Sequence, residues 1–388
     1  MKRIGMGIVG AGFVGPHHID AVRRLGFVDV VGIAGSSEAS AKAKAEQLGV
    51  PKSYASYEAL IQDSDIEVVH NTTPNYLHYP VNLAVIEAGK HIVSDKPLAM
   101  NAEEARKLRD AAAVKGVVHA VTFNYRGNPL VQQMRLMIER GDIGRPHFLF
   151  GHYLQDWLLK DTDYSWRLEP DKGGASSALG DVGSHWCDLT QHVSGARITE
   201  VLAEISTTIP TRKKPLGSRE AFAAAGANER VEKVEIKVED LATVLVRFDS
   251  GARGVFSVSQ VSAGHKNDLV LEVNGATGSL RWHQEQQNEL WIGRRDQANQ
   301  VLVKDPSLLD EPARRYAHLP GGHQEAWTDA FCNVMRDVYG YIAEGRDPKK
   351  DATPPAFATF EDGYRANCLV GAMLESAKSG KGWVKVQY

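Results

Sequence analysis

The sequence predicts an α/β protein of two domains: an N-terminal doubly wound parallel sheet, then an α+β domain with a large, mostly antiparallel open sheet. At 388 residues the chain is too long for one ordinary core, so two domains are expected. Strand and helix patterns alternate with short turns as far as residue 123, which is typical of a parallel sheet covered by helices. Beyond residue 144 the strands alternate apolar and polar residues, as in an antiparallel sheet with one covered face. We place the domains at residues 1–123 and 124–388.

The first feature is a glycine-rich turn, in which Gly10-Ala11-Gly12-Phe13-Val14-Gly15 follows an apolar run. A secretory signal needs a helical apolar core, and the five glycines between Gly5 and Gly15 argue against one, because each is disfavoured in a helix by about 1 kcal/mol. In a strand-turn-helix unit, Gly10 permits the tight turn, Gly12 lets the backbone approach a pyrophosphate and Gly15 lets the helix pack closely. We therefore expect this turn, Phe13 and Val14 included, to hold a dinucleotide at the helix N-terminus of a Rossmann domain.

The rest of the first domain continues the alternation of strands and helices. Predicted strands cover residues 5–9, 28–34, 68–71, 91–94 and 117–121. Predicted helices cover residues 17–25, 40–48, 81–88 and 102–114. This order implies a parallel sheet with helices on both faces.

The second domain is predicted to be a sheet with helices packed on it. Strands are expected at residues 241–248, 255–261, 269–273 and 280–282, separated by glycine-containing turns. Residues 211–239 are charged and alanine-rich, and we expect a solvated loop there and no functional site. Two helices, at about residues 323–343 and 360–376, end the chain.

The composition indicates a globular protein without a polyanionic or membrane partner. Hydrophobic residues make up 43% of the chain and charged residues 24%. A net charge of −3 does not favour nucleic acid, and no apolar run reaches the roughly 18 residues that a membrane helix requires. The three cysteines are far apart and form no CxxC pair, which suits a reducing compartment. We expect a cytoplasmic protein that binds neither nucleic acid nor membrane.

The end of the second strand bears on the choice of nicotinamide cofactor. NAD calls for an acidic residue there, about 20 residues after the first glycine, to bind the ribose 2′-OH. Asp29 has nearly this spacing but lies at the wrong end of the strand, about 20 Å of extended chain from Gly35. Ser36, Ser37 and Lys42 follow the strand instead, and hydroxyls beside a cation suit a 2′-phosphate. These residues favour NADP over NAD, unless Lys42 belongs only to a solvated helix face.

Two loops after later strands are expected to contact the cofactor, because ligands bind beyond the carboxyl ends of strands in such sheets. The first loop is Thr72-Thr73-Pro74-Asn75, followed by His78. The second is Asp95-Lys96-Pro97, in which the proline restricts Lys96 to extended conformations. The Lys96 ammonium then projects from the edge where the nicotinamide is expected. An ordinary surface role for this lysine is the alternative.

A further motif opens a predicted helix in the second domain with Gly180-Asp181-Val182-Gly183-Ser184-His185. Asp181, as an N-cap or first-turn residue, shares a helix face with His185, four residues on. Such a carboxylate orients the imidazole and raises its basicity, as a general base requires. Asp188 and His192 extend the stripe, so a metal site is a rival interpretation. We expect no metal, because one helix offers only one side of a coordination sphere.

These four motifs resemble those of the Gfo/Idh/MocA oxidoreductases, the family of glucose–fructose oxidoreductase and inositol dehydrogenase. They are the glycine turn, Thr73-Pro74-Asn75 with His78, Asp95-Lys96-Pro97 and the stretch ending at His185, and they occur in the family's order nearly end to end. Within the family, residues 153–157 and 165–167 resemble the levoglucosan dehydrogenases and related sugar dehydrogenases.

The resemblance implies roles for particular residues. Lys96 would position the substrate hydroxyl and the nicotinamide. Asp181 and His185 would be the acidic partner and the general acid/base. Trp166 and Arg167 would contact the cofactor.

The resemblance also implies a Rossmann domain and a C-terminal open sheet that often forms an oligomer interface, hence a homodimer or homotetramer. Asp95 departs from the family pattern, which usually has glutamate before the lysine. The carboxylate is kept but is one methylene shorter, which puts the geometry of the loop in doubt more than its chemistry.

Five other side chains are expected where sugar hydroxyls bind, although each has a structural role as its alternative: Tyr125, Arg126, Gln155, Asp156 and His323. The function expected is hydride transfer between NAD(P) and a ring hydroxyl or ketone of a sugar, anhydrosugar or cyclic polyol. Two alternatives are an NAD-dependent glycosidase that acts by transient oxidation and a regulator that senses dinucleotide without catalysis. The presence of both Lys96 and His185 argues against the regulator.

Overall fold

A computed structural model describes residues 3–217, 230–380 and 382–388, and the chain divides into two compact units. The first unit comprises Met1–Phe123, Asp171–Gly174 and Phe331–Asn367. The second comprises Asn124–Pro170, Ala175–Ala330 and Cys368–Tyr388. The predicted division placed everything after residue 123 in the second domain. Two later segments, Asp171–Gly174 and Phe331–Asn367, fall into the first compact unit.

The sheet of the first unit has six strands: β1 (Ile4–Val9), β2 (Val28–Ala34), β3 (Lys52–Tyr54), β4 (Val68–Asn71), β5 (His91–Ser94) and β6 (His119–Val121). All neighbours are parallel, in the order β3-β2-β1-β4-β5-β6. This order is that of a dinucleotide-binding doubly wound sheet, so the predicted fold class is confirmed. β3 was not predicted, because its three residues are too few and too exposed to show a pattern.

The helices are α1 (Gly15–Arg23), α2 (Glu38–Leu48), α3 (Tyr57–Gln62), α4 (His78–Glu87), α5 (Ala102–Lys115), α6 (Pro129–Arg140), α7 (Pro170–Gly173), α8 (Ser184–Ser194), α9 (Glu311–Arg314), α10 (Trp327–Ala343) and α11 (Phe360–Ser379). Several begin earlier than expected. The hydroxyl of Ser37 accepts a hydrogen bond from the Ser40 backbone N–H and so starts α2 two residues before the predicted start. α10 begins four residues after its predicted start at residue 323.

The other strands are β7 (Pro146–Leu154), β8 (Ile198–Ser206), β9 (Thr211–Pro215), β10 (Val231–Glu235), β11 (Leu241–Phe248), β12 (Arg253–Ser259), β13 (Asp268–Gly275), β14 (Ser279–His283), β15 (Glu289–Gly293), β16 (Gln300–Val303) and β17 (Val384–Lys385). Nine of them form one sheet in the order β16-β15-β14-β13-β7-β12-β11-β8-β17. Only the β7–β12 pair is parallel. The large, mostly antiparallel open sheet is therefore confirmed.

The prediction of a loop over residues 211–239 was wrong. β9 and β10 pair there as an antiparallel hairpin, while residues 218–229 lie outside the described part of the chain. Arg212 of β9 is fully buried and donates to the backbone carbonyls of Leu158, Lys160 and Asp163. The prediction failed because the segment is charged, and the sequence does not distinguish an arginine buried among backbone carbonyls from a solvent-exposed one.

One face of the nine-stranded sheet is covered by helix α8. Trp186 is fully buried, and its ring stacks on that of Phe256 with centroids 4.4 Å apart. Its Nε1–H donates to the Val270 carbonyl oxygen at 3.1 Å. The strands beneath alternate buried and more exposed residues, as β11 does along its whole length. This packing fixes α8 on the sheet.

The structure also bears on membranes and disulfides. Within the described residues, no helix has both the length and the apolar character needed to cross a bilayer. The three cysteines are buried and form no disulfide with one another.

We predict that Trp186→Ala lowers the free energy of unfolding by about 3–5 kcal/mol, because it removes a fully buried ring and leaves a cavity. Urea unfolding followed by circular dichroism measures this. Phe148→Ala is the control, since Phe148 is 38% exposed on the same sheet and should cost about 1 kcal/mol or less. Equal losses in the two variants would contradict the packing described.

Candidate active site

The glycine turn after β1 has the geometry that phosphate binding requires. Gly10 has φ +84°, and a Cβ there would lie 2.8 Å from the Thr72 carbonyl oxygen. A Cβ on Gly15 would lie 2.9 Å from the Gly10 carbonyl oxygen, so glycine is needed for the helix to approach the turn. A Cβ added to Gly12 would have nothing within 4 Å. The backbone at Gly12 is therefore open to a ligand.

The start of α1 suits an anion. Pro16 occupies its first turn, and no acidic residue lies there. Val14 precedes the helix without a side-chain cap, and Phe13 beside it is 50% exposed. The N–H groups at the start of a helix and its dipole attract phosphate. The residues of this turn thus fit the pyrophosphate of a dinucleotide.

The loop after β4 is tied to the glycine turn. Thr72 Oγ1 donates to the Gly10 carbonyl oxygen at 2.6 Å, and Thr73 Oγ1 donates to Asn71 Oδ1 at 2.7 Å. After Pro74, Asn75 Nδ2 donates to the Gly173 carbonyl oxygen at 2.8 Å. These bonds fix a loop that the sequence placed at the cofactor, although several of its polar groups are already used inside the protein.

His78 joins this loop to the one that carries Lys96. Its Nε2 lies 2.8 Å from the Thr73 carbonyl oxygen and its Nδ1 2.5 Å from that of Pro97. Burial lowers the pKa of His78, and the nearby Lys96 ammonium lowers it further. His78 therefore contacts both loops, and in its neutral form it has a single N–H to donate to one of the two carbonyl oxygens.

Lys96 follows β5, as the sequence predicted, and is half-buried. Asp95 accepts a hydrogen bond from Thr122 Oγ1 at 2.7 Å, and its backbone N–H donates to the Asn71 carbonyl oxygen at 2.9 Å. The shortened carboxylate is thus held by the neighbouring strand β6. This anchors the residue directly before the lysine.

Asp29 and the residues that follow β2 lie at opposite ends of that strand. Asp29 lies near the start of the strand and pairs with Arg3, whose Nη2 is 2.6 Å from Oδ1, so it is far from the glycine turn in the strand register. Ser36 and Lys42 are exposed, and Ser37 caps α2. No carboxylate occupies residues 35–37. A 2′-phosphate would meet no negative charge from these three residues.

In the second unit, Asp181 lies on a π-helical turn, Leu179–Gly183, that leads directly into α8. Of the two roles expected for Asp181, the structure shows the first-turn role, since Asp181 lies in the first turn of this π-helical segment and Gly183 occupies the N-cap position of α8. The backbone N–H of Asp181 donates to the Ser177 carbonyl oxygen at 2.8 Å. A π turn is rare and is frequent at functional sites.

A buried carboxylate holds the start of this turn. Glu239 Oε1 accepts hydrogen bonds from Ser176 Oγ at 2.6 Å and from the backbone N–H groups of Ser177 at 3.0 Å and Leu179 at 2.9 Å. Burial raises the pKa of Glu239, while these donors lower it. No sequence pattern distinguished Glu239, since it lies at the end of the segment expected to be a loop.

Two side chains orient the Asp181 carboxylate. Gln260 Nε2 donates to Oδ2 at 2.9 Å, and Arg167 Nε lies 3.4 Å from Oδ1. Gln260 is fully buried, and its Oε1 accepts from Ser177 Oγ at 3.0 Å. The Arg167 guanidinium also lies over the Trp166 ring, 4.6 Å from its centroid. Trp166 and Arg167, expected at the cofactor, therefore lie beside Asp181 within the second unit.

His185 lies against a pair of tyrosines whose own ring centroids are 6.0 Å apart. Its ring centroid lies 5.1 Å from that of Tyr125 and 6.1 Å from that of Tyr153. The two tyrosine hydroxyls are 2.6 Å apart, and burial raises the pKa of Tyr125 to about 12. The phenols are therefore neutral at physiological pH, and the imidazole, itself only 7% exposed, is held in an aromatic setting.

The remaining members of the predicted stripe serve the structure. Asp188 accepts from Arg126 Nε at 2.9 Å and from Nη2 at 2.5 Å, which makes a buried bidentate pair. His192 Nε2 lies 3.2 Å from Gln132 Nε2. Arg126, expected at the substrate, is thus committed to an ion pair. Among the residues that the structure describes, no group of side chains has the arrangement of a metal site.

The other expected substrate residues have different environments. Gln155 is buried, and its Oε1 accepts from Trp157 Nε1 at 2.9 Å. Asp156 pairs with Lys266 at 2.6 Å and accepts from the Gly264 N–H at 3.1 Å. His323 is exposed and precedes α10, so the prediction that it starts a helix was wrong.

Comparison with known proteins places this site in context. Residues 4–123 match a family model described as an oxidoreductase family with an NAD-binding Rossmann fold, and residues 131–281 match the Gfo/Idh/MocA C-terminal domain. Levoglucosan dehydrogenase of Pseudarthrobacter phenanthrenivorans is 32% identical over 100% of this chain and 99% of its own length. Myo-inositol 2-dehydrogenase of Thermotoga maritima is 26% identical over 98% of both proteins. A solved structure of levoglucosan dehydrogenase in complex with NADH and L-sorbose superposes with a TM-score of 0.88 at 30% identity, covering 100% of each chain.

We predict that Gly12→Ala weakens NADH and NADPH binding at least about tenfold without lowering thermal stability, because a methyl group there meets only the space that a pyrophosphate would use. Nicotinamide fluorescence and a thermal melt measure the two effects. Gly340→Ala, also in the first unit and also with nothing within 4 Å of its Cβ, is the control and should leave both affinities unchanged. Unchanged affinity in Gly12→Ala would remove the turn from the cofactor site.

Proposed function

The chain belongs to the Gfo/Idh/MocA oxidoreductase family, and we propose that it is an NAD(P)-dependent dehydrogenase acting on a ring hydroxyl of a sugar, anhydrosugar or cyclic polyol. The observation that carries the proposal is His185, an imidazole beside the anchored turn of Asp181 and next to a pair of neutral tyrosines. This arrangement suits removal of a proton from an alcohol. The open glycine turn supports the cofactor part of the proposal.

Each catalytic side chain has a separate proposed role. His185 takes the proton from the reacting hydroxyl. Asp181, itself held by Gln260 and Arg167, is the acidic partner that favours the protonated imidazole. Lys96 donates a hydrogen bond to the same hydroxyl oxygen and stabilises its negative charge as the proton leaves. When bound, oxidised nicotinamide supplies the acceptor for the hydride that leaves the carbon.

We propose NADP as the preferred cofactor, with NAD as the alternative. Ser36, Ser37 and Lys42 follow β2 and supply hydroxyls and a cation, and Glu38 is the one carboxylate in residues 36–42. The alternative is supported by the related levoglucosan dehydrogenase, whose structure contains NADH. Ser37 already accepts a bond as a helix cap but still has its own proton to donate.

The substrate class is proposed from the relatives and from the polar groups near His185. The relatives named above are dehydrogenases of levoglucosan and of myo-inositol, both ring compounds. Gln155 and Tyr153 offer amide and hydroxyl groups, which suit neutral hydroxylated rings more than charged ones. We also propose that the protein forms a homodimer or homotetramer, as the family resemblance implies. We propose a cytoplasmic location as well.

The cofactor proposal predicts that Lys42→Glu weakens NADPH binding about threefold or more while leaving NADH binding nearly unchanged, because an exposed cation would be replaced by an anion beside the 2′-phosphate. Titration by nicotinamide fluorescence at low salt measures both constants. Lys115→Glu, at the end of α5, is the matched charge reversal and should affect neither. Tighter binding of NADH than NADPH by the unchanged protein would reverse the proposed preference.

The catalytic proposal predicts that Lys96→Ala and His185→Asn each lower kcat about 10²–10⁴-fold, with NADPH affinity within about twofold of the unchanged protein. Reduced-nicotinamide absorbance with levoglucosan and myo-inositol as substrates measures the rates. Lys115→Ala serves as the control.

A rate that survives either substitution would exclude that residue from catalysis. Release of a sugar from a glycoside without accumulation of reduced nicotinamide would replace the dehydrogenase with the glycosidase. Tight dinucleotide binding without turnover or glycoside cleavage would instead favour the regulator.

A further inference from the structure

The connection between β12 and β13 brings one asparagine to three polar side chains near His185. Asn267 Oδ1 accepts hydrogen bonds from the Tyr153 hydroxyl at 2.5 Å and from Gln155 Nε2 at 3.0 Å. Its Nδ2 donates to the Tyr125 hydroxyl at 3.1 Å. One amide thus joins the segment that carries Tyr153 and Gln155 to the separate segment that carries Tyr125.

The bonds among Asn267, Tyr125 and Tyr153 form a closed ring with a single direction. An amide nitrogen only donates and an amide oxygen only accepts, so the Tyr125 oxygen accepts from Asn267 and the Tyr153 proton goes to Asn267. The Tyr125 proton therefore goes to the Tyr153 oxygen, 2.6 Å away. Trp327 also hydrogen-bonds to Tyr125, which uses the second lone pair of its oxygen.

This direction decides what each side chain can offer a ligand. The hydroxyl of Tyr125 already uses both lone pairs and its proton in hydrogen bonds within the protein. Tyr125 can therefore contact a ligand but not hydrogen-bond to it. Tyr153 keeps one lone pair after accepting from Tyr125. Gln155 keeps one N–H and one lone pair after its bonds to Asn267 and Trp157. The set therefore presents mainly acceptors, and these match a ring hydroxyl that donates its proton.

Asn267 is itself held firmly. Glu285 Oε1 accepts from the Asn267 backbone N–H at 2.7 Å and from that of Lys266 at 3.3 Å. The next residue, Asp268, is surrounded by three imidazoles, with nitrogen–oxygen distances of 3.1 Å to His152, 2.5 Å to His265 and 2.8 Å to His283. The amide is thus placed by contacts on both sides of it along the chain.

We propose that Asn267 is a positioning residue that determines substrate specificity by directing the protons of Tyr125 and Tyr153 and by orienting Gln155. The proposal rests on the proposed function, since the site it shapes is that of a polyol dehydrogenase. Asn267 acts on a cyclic polyol through these three side chains and through the two rings that lie against His185. It selects substrates whose hydroxyls donate to Tyr153 and Gln155.

Two variants test the role. Asn267→Leu removes all three bonds, whereas Asn267→Asp keeps oxygen acceptors for Tyr153 and Gln155 but removes the donor to Tyr125. The control is Asn299→Leu, an asparagine between β15 and β16 whose Oδ1 accepts from the Arg294 backbone N–H. Steady-state rates with levoglucosan, myo-inositol and D-glucose are compared with the binding of the same compounds by calorimetry at saturating NADPH or NADH. Circular dichroism melts check that each variant folds.

We expect Asn267→Leu to raise KM for the best polyol at least about tenfold with kcat changed less than about threefold. The ratio of kcat/KM between the best and second-best polyol should fall about tenfold, because the site no longer distinguishes substrates by the arrangement of their hydroxyl groups. Asn267→Asp should lie between this variant and the unchanged protein, and Asn299→Leu should match the unchanged protein.

The opposing outcomes separate the two proposals. A lower melting temperature with an unchanged ratio between polyols would make Asn267 merely structural and overturn the inference alone. If the unchanged protein binds polyols without oxidising them, the calorimetric ratio decides the role of Asn267 by itself. If it neither binds nor oxidises any of them with either cofactor, the proposed function and this inference fail together.

Discussion

The buried carboxylate of Glu239 is the constraint on which the proposed catalytic part of the second unit depends. It gathers a hydroxyl and two backbone N–H groups at the start of the π turn, and each bond to a charged acceptor contributes about 1.5–3 kcal/mol. Without these donors a carboxylate that is 2% exposed would be strongly destabilising. These hydrogen bonds therefore hold the π turn in one position. From that position Asp181 meets Gln260, and His185, the second residue of α8, lies against the tyrosine rings.

The elements that follow from local patterns were predictable from the sequence. Continuous apolar strands, helical periodicity and the glycine turn each involve residues close in the chain, so the doubly wound sheet and the antiparallel sheet could be inferred before the structure. Asp29 could be set aside as a ribose ligand by counting along one strand, and its pair with Arg3 at the start of that strand agrees. Helix starts were less exact, because a capping hydroxyl such as that of Ser37 adds a turn without any apolar residue.

What the sequence could not predict depends on contacts between residues far apart in the chain. Glu239 lies 60 or more residues after the backbone groups it holds, and Asn267 bonds a tyrosine 142 positions earlier. Neither residue has a sequence spacing from its partners that would distinguish it from a surface residue. Asp181 was expected as an N-cap or first-turn residue, but the side-chain pattern did not show that its turn is π-helical, because a π turn differs from an α turn by only one residue. Arg126 was expected at the substrate because its partner, Asp188, belongs to another helix.

The glycine turn and the polar groups around His185 differ in how a single substitution affects them as such proteins diverge. The residues expected to hold the dinucleotide lie mostly in short motifs, where the backbone itself makes the site and few side chains can change. The polar groups around His185 come instead from separate segments and are joined by side-chain amides and hydroxyls. A single replacement among them redirects several hydrogen bonds at once without altering a strand or a helix. Substrate preference can therefore change while the fold and the cofactor turn stay the same, which is why a family resemblance indicates the chemistry more sharply than the sugar.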